Sequence, residues 1–191
     1  MEKYILGIVI SVLIGLSCSN GGNTTSETNT EHEGHIEQTE KSKKKSLSPR
    51  TQAMANIGDT HVHVDYSAPS VRGRVVFGGL VAYDNVWVTG AHSATSIDFS
   101  TDVEIDGQVI KKGKYAFFTI PNKEKWTLIL NENYEQHLAD DYDAALDIIR
   151  VNAKIKTLEE PVETLTYEVN DNGMSVAWDK VKVNLPIKSK G

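Results

Sequence analysis

The sequence has one cysteine, no excess of positive charge and no apolar run long enough to cross a membrane. Cys18 stands alone among 191 residues, so no intramolecular disulfide can form and any folded part must be held by its core. The formal net charge is −6, from 20 basic against 26 acidic residues. A phosphate-binding face needs a basic surplus, which argues against nucleic acid as a partner. The longest apolar stretch, Ile5 to Leu16, would span only about 18 Å as a helix, against roughly 30 Å for a bilayer core. Catalytic signatures are missing as well. There is no Gly-x-Ser-x-Gly elbow, no His-Glu-x-x-His pair and no Walker loop.

What is present begins with export. A short leading segment with Lys3 precedes Ile5 to Leu16, and Gly15-Leu16-Ser17-Cys18 places small residues at a cleavage point, as in a secretory signal. The tetrapeptide resembles the lipobox of bacterial lipoproteins, with Gly15 where leucine is commonest. The resemblance implies a signal peptide over 1–17 and a diacylated Cys18 as the mature N-terminus. No acidic residue directly follows Cys18, which in such lipoproteins implies an outer-membrane anchor facing the periplasm. From Ser19 to Ser46 the chain is Ser, Thr, Asn, Gly, Glu and Lys with almost nothing apolar. The expectation is a tether over 18–46 that buries too little to order itself. Its basic run, Lys41 and Lys43 to Lys45, reads as solvated linker or as contact with anionic headgroups. His32 and His35 lie in the same segment.

Residues 47–191 are close to the usual size of one domain. Period-two alternation dominates: Val181, Val183, Leu185 and Ile187 alternate with polar residues, as do Ile149, Val151, Ala153 and Ile155, and a third face carries Leu165, Tyr167 and Val169. Gly113 to Ile120 is apolar on both sides, as expected of a central strand. Asp106-Gly107 and Asn172-Gly173 are two-residue hairpin signals. The expectation is an all-β antiparallel β-sandwich of about nine or ten short strands, with one short helical turn over Asp140 to Leu146.

The runs Pro69 to Arg74, Phe77-Gly78-Gly79-Leu80-Val81, Val86-Trp87, Thr89-Gly90-Ala91, Lys112 to Tyr115, Phe118 to Pro121 and Trp126-Thr127 resemble a known family. It is the one catalogued as domain of unknown function 2911, whose members are largely exported proteins and lipoproteins of Bacteroidota. The resemblance covers Ser48 to Ile187 and implies fold and location, not an activity. Val88 replaces a frequent arginine, and His92-Ser93 stands where Asn-Glu is common.

Candidate site residues follow from loops and strand parity. His61, His63 and Asp65 share one strand face, which suits metal ligation or the solvated face of an edge strand. Trp87, Thr89 and His92 belong to the most recognisable loop, and His137 precedes the acidic turn Asp140 to Asp143. Loops set on a rigid sandwich are where binding residues concentrate. Were those loops to meet, His63, His92 and His137 would offer copper or zinc a nitrogen-rich site. Arg74, in Arg72-Gly73-Arg74, suits a small anion. Asp141 and Asp143 offer oxygens to calcium or, more simply, a helix cap. The leading expectation is a non-enzymatic, membrane-anchored module binding a small ligand or an envelope protein through Arg74, Trp87, Thr89, His92 and His137. A copper- or zinc-binding envelope protein and a cell-envelope hydrolase are the alternatives.

Overall fold

Alternation of buried and more accessible residues from Thr60 to Tyr66 in β2 (Thr60–Ser67), with Val62, Val64 and Tyr66 inward and His61, His63 and Asp65 outward, is what a sheet with one covered face requires. The computed structural model describes residues 46–191. The expected signal peptide, the lipidation site Cys18 and the tether histidines His32 and His35 lie outside the described residues. β2 joins β1 (Arg50–Ile57), β3 (Thr95–Phe99), β6 (Gly113–Ile120), β7 (Lys125–Asn131) and β8 (Asp147–Lys154) in an antiparallel sheet of order β1-β2-β3-β6-β7-β8. The second layer is a long hairpin, β9 (Lys156–Asn170) and β10 (Gly173–Pro186), beside a small sheet of order β11-β4-β5. The last is built from β4 (Val103–Ile105), β5 (Gln108–Ile110) and β11 (Lys188–Ser189).

One apolar core joins the layers. Val64, Ile97, Phe117 and Leu130 of the large sheet pack with Leu165, Tyr167, Val176 and Leu185 of the hairpin and with Val103 and Ile105 of the small sheet. The fold is therefore an all-β antiparallel sandwich. At one end, Phe77, Trp87, Trp126 and Trp178 form an aromatic cluster, with Trp87 and Trp178 stacked at 5.8 Å between ring centroids. Such contacts add to the area these rings bury. Trp178 Nε1 is buried with no hydrogen-bond acceptor among the described residues.

The turns follow their residues. Asp106 (φ 49°) and Gly107 (φ 79°) both adopt left-handed backbone, as a two-residue β4–β5 connection of the primed kind demands. In the second hairpin the connecting pair is Asp171-Asn172, one position earlier than Asn172-Gly173. Gly173 is already the first residue of β10, at φ 131°. A Cβ there would stand 2.2 Å from the Leu185 carbonyl oxygen. Close approach of two backbones, more than turn formation, is what requires glycine at 173.

The structure bears out the all-β sandwich and its one short helical turn, sharpens the bounds of both, and corrects one placement. The described residues form eleven strands, and two of them, β9 and β10, are long; in β10, Met174–Trp178 and Val181–Pro186 are one strand. β10 kinks at Asp179 (φ 51°), where its register against β9 shifts on both sides. A bulge breaks sequence alternation as a turn does, while the chain continues in the same direction. The expected helical turn is present as the 3-10 turn Ala144–Leu146, at the C-terminal end of the expected span, and its N-cap Asp143 accepts the Ala145 N–H at 2.8 Å. Finally, β2 is flanked on both sides by β1 and β3, so His61, His63 and Asp65 lie on an interior strand, not an edge.

The outer face of the large sheet is only half roofed. Over β6 and β7, Val88, Ala94, Ala116, Phe118 and Ile129 form a second buried cluster with Val86, Ala139 and Tyr142. Over β1 and β2 the same face carries the polar row His61, His63 and Asp65, which is not buried. The step between covered and open sheet is where the candidate site lies.

Candidate functional site

The roof is made by two loops, and each has a local cause. Trp87 continues the β3 edge by exchanging backbone hydrogen bonds with Thr119 at 2.8 and 2.9 Å, after which residues 89–94 loop out before β3 begins at Thr95. Thr89 (φ 51°) and His92 (φ 64°) hold left-handed backbone at the corners. Such conformations in non-glycine residues persist only where their surroundings hold them. Here the Thr89 carbonyl accepts the buried Tyr167 hydroxyl at 2.7 Å and the Thr95 hydroxyl at 3.1 Å. Burial pushes the Tyr167 hydroxyl well above the usual tyrosine range, so it stays a neutral donor.

The second loop, residues 132–146, hangs from Asn131. This fully buried side chain donates to the Asp143 carbonyl at 2.9 Å and to Asp147 Oδ1 at 2.8 Å, and accepts the Asn133 N–H at 2.9 Å. Asp147 Oδ2 accepts Arg150 Nε and the Tyr142 hydroxyl, each at 2.7 Å. Burial, then the bond to Asp147, pushes the Tyr142 hydroxyl up to about 12, with Arg150 opposing. A network in which each member is bonded rigidifies its loop.

The two loops meet. Leu138 N–H donates to the His92 carbonyl at 2.7 Å, Ala94 N–H donates to the Gln136 carbonyl at 3.0 Å, and Ser93 pairs with His137 as an antiparallel bridge. Below this junction opens a trough of about 450 Å³, lined by Arg50, Ser93, Ala94, Ser96, Lys114, Tyr134, Glu135, Gln136 and His137. Lys114 Nζ stands 5.2 Å from the centre of the Tyr134 ring, and Arg50 pairs with Asp65 at 2.5 Å. Gln136 Nε2 donates to the Asn133 carbonyl at 2.6 Å, while its Oε1 is buried with no donor among the described residues. An acceptor left that way costs about 1–3 kcal/mol. With Arg50 paired to Asp65, Lys114 is the lining cation without a carboxylate partner among the described residues, and beside it two serine hydroxyls and a phenol suit a small polar ligand bearing negative charge, with Glu135 the one acidic residue of the lining.

Of the residues singled out from sequence, only His137 lines the trough. Its Nδ1 lies 4.0 Å from Asp140 Oδ2, with both side chains exposed. His92 contributes its backbone to the junction but does not line the trough. His63 bonds Gln52 Oε1 at 2.9 Å and His61 bonds Asn56 Oδ1 at 3.0 Å, both across to β1. Among the described residues no three His, Cys, Asp or Glu side chains are grouped to hold a metal ion, so His63, His92 and His137 are not brought together. Trp87 Nε1 donates to the Gly90 carbonyl at 3.1 Å, and Thr89 is fully buried. Both shape the loop. Arg74 turns back on its own chain, donating to the Ser70 and Val71 carbonyls at 2.7 and 3.1 Å. Sequence reasoning missed Arg50, Ser96, Lys114, Tyr134 and Gln136. The available signal was polarity on the outer face of otherwise apolar strands, Ser96 in β3 and Lys114 in β6.

A family model described as "Protein of unknown function (DUF2911)" matches residues 48–187, which span the strands and both loops of the site. No curated protein and no solved structure matches the chain.

Proposed function

The chain belongs to the DUF2911 family, and from that premise we propose a lipid-anchored module of the cell envelope, acylated at Cys18, that binds a small anionic polar ligand without transforming it. The trough carries this reading. Its floor comes from β1, β3 and β6 through Arg50, Ser96 and Lys114, and its wall from the loop of Tyr134 to His137. Lys114 supplies the charge, with Tyr134 beside it as an aromatic wall. Ser93 and Ser96 supply hydroxyls that both donate and accept. Sites on strands braced by a bonded loop hold their geometry when the ligand is absent, which limits the ordering penalty of binding.

The test is thermal unfolding of the full chain with inorganic phosphate or glucuronate as probes. A ligand bound only to the folded state at a hundred times its dissociation constant stabilises by about 2.7 kcal/mol, roughly 8 °C for a domain of this size. The expected result is such a shift with one of the two probes, lost in Lys114→Met. No shift with either probe at millimolar concentration, or an unchanged shift in Lys114→Met, would overturn the assignment.

A further inference from the structure

The point where the described chain begins carries a surface that the trough does not use. Leu47, Val75 and Leu80 are large apolar side chains left 68, 73 and 47 % exposed. Hydrogen bonds tie them into one neighbourhood. Arg72 Nη2 donates to the Leu47 carbonyl at 2.7 Å, Arg74 N–H closes a turn on the Val71 carbonyl at 3.1 Å, and Leu80 N–H donates to the Val75 carbonyl at 3.1 Å. Among the described residues neither the Arg72 nor the Arg74 guanidinium pairs with a carboxylate. The one carboxylate bonded to this turn, that of Glu163, accepts the Arg72 backbone N–H at 2.9 Å. The combination is an apolar tip flanked by two exposed arginines whose guanidinium groups are held by backbone carbonyls and not by carboxylates among the described residues.

Two features say what covers it. The sequence immediately before Ser46 is Lys41-Ser42-Lys43-Lys44-Lys45. Four lysines reach only the lower edge of the size at which basic clusters bind anionic lipid, about four to eight residues, and Arg72 and Arg74 add two further positive charges on the described domain. Further, the chain between Cys18 and Leu47 extends to at most about 100 Å. A domain anchored through Cys18 therefore stays close to a bilayer, with this corner the first part of the described domain reached from the anchor.

We propose that the Leu47/Arg72/Arg74/Val75/Leu80 corner is a membrane-docking surface that seats the sandwich against an anionic phospholipid bilayer. The proposal rests on acylation at Cys18. The arginines meet headgroup phosphates while Val75 and Leu80 enter the boundary of the acyl region, as amphipathic interfacial elements do. Docking fixes the domain's orientation relative to the membrane, which a lipid on a long tether does not.

The experiment uses the full lipidated chain. With Cys18 acylated, Val75→Cys introduces a single free thiol, to be labelled with a solvatochromic dye and reconstituted into vesicles of phosphatidylglycerol and phosphatidylcholine. A blue-shifted emission quenched by a lipid-borne quencher is expected at Val75→Cys and not at Val109→Cys on β5, another exposed position. Vesicles of phosphatidylcholine alone should give a weaker signal. Arg74→Gln should lower the docked-to-undocked ratio about fivefold, since one arginine near an anionic surface contributes about 1 kcal/mol. Leu80→Ser should lower it further without unfolding the domain, because Leu80 is half exposed. Equal signals at both labelled positions, or a shift that follows protein concentration without lipid quenching, would overturn docking in favour of random proximity or self-association. If acylation itself is wrong, the protein does not float with the vesicles at all, which is read before any dye signal.

Discussion

Asn131 is the residue on which the site loop hangs, and replacing it by alanine tests the reasoning most directly. The side chain is fully buried and makes three hydrogen bonds: to the Asp143 carbonyl, to the Asp147 carboxylate and from the Asn133 N–H. A neutral bond contributes about 1 kcal/mol net and one to a charged group about 1.5–3 kcal/mol. Their sum is about 3.5–5 kcal/mol. Asn133 and Asp143 are not buried, so water can replace part of what is lost, and the expected destabilisation is about 3 kcal/mol, or roughly 10 °C in Tm. Urea denaturation measures it, with an unchanged m-value showing that the unfolded state is not the cause. Because Tyr134 and His137 ride on the tethered loop, ligand-dependent stabilisation should fall as well, although Asn131 does not line the trough. A loss below about 1 kcal/mol would refute the reasoning, since it would mean that the three bonds are nearly replaced by water.

Gly173→Ala should destabilise by more than about 3 kcal/mol, because a methyl group there meets the Leu185 carbonyl at 2.2 Å on backbone already at φ 131°; equilibrium unfolding near wild-type stability would contradict the close packing. With the Tyr142 hydroxyl pushed up to about 12, the folded protein keeps a proton that the unfolded chain loses near pH 10. This contribution to stability is complete below about pH 10 and is lost as pH rises toward 12. Ultraviolet titration of tyrosinate should show that late component shrinking in Tyr142→Phe, with Tyr167, raised by burial, remaining. Cys18→Ser should move the protein from the membrane fraction to the soluble fraction, and wild-type levels in membranes would refute lipid attachment. Stoichiometric zinc(II) or copper(II) should leave Tm unchanged, because His63, His92 and His137 do not assemble into a three-ligand group; a rise of several degrees would show that they converge in solution.

The all-β fold, the β6 and β8 strands and the Asp106-Gly107 hairpin were legible in the residues alone. Alternation and turn chemistry act over a few positions, and so leave a local trace. The outward set of His61, His63 and Asp65 was legible for the same reason, since parity along a strand decides which way side chains point. What parity cannot say is which strand lies beside which. Register sets Ser96 between Asp65 and Ala116, and Asp98 between His63 and Lys114. Only that pairing, with Arg50 at the start of β1, assembles the floor of the trough. Likewise the sequence marks His92 and His137 as loop residues, but their meeting depends on backbone bonds from Leu138 to His92 and from Ala94 to Gln136. Those bonds close across more than forty positions of chain. The same long-range closure turned Trp87 and Thr89, conspicuous in sequence, inward as supports, and left Lys114 and Ser96, inconspicuous in sequence, facing the open trough.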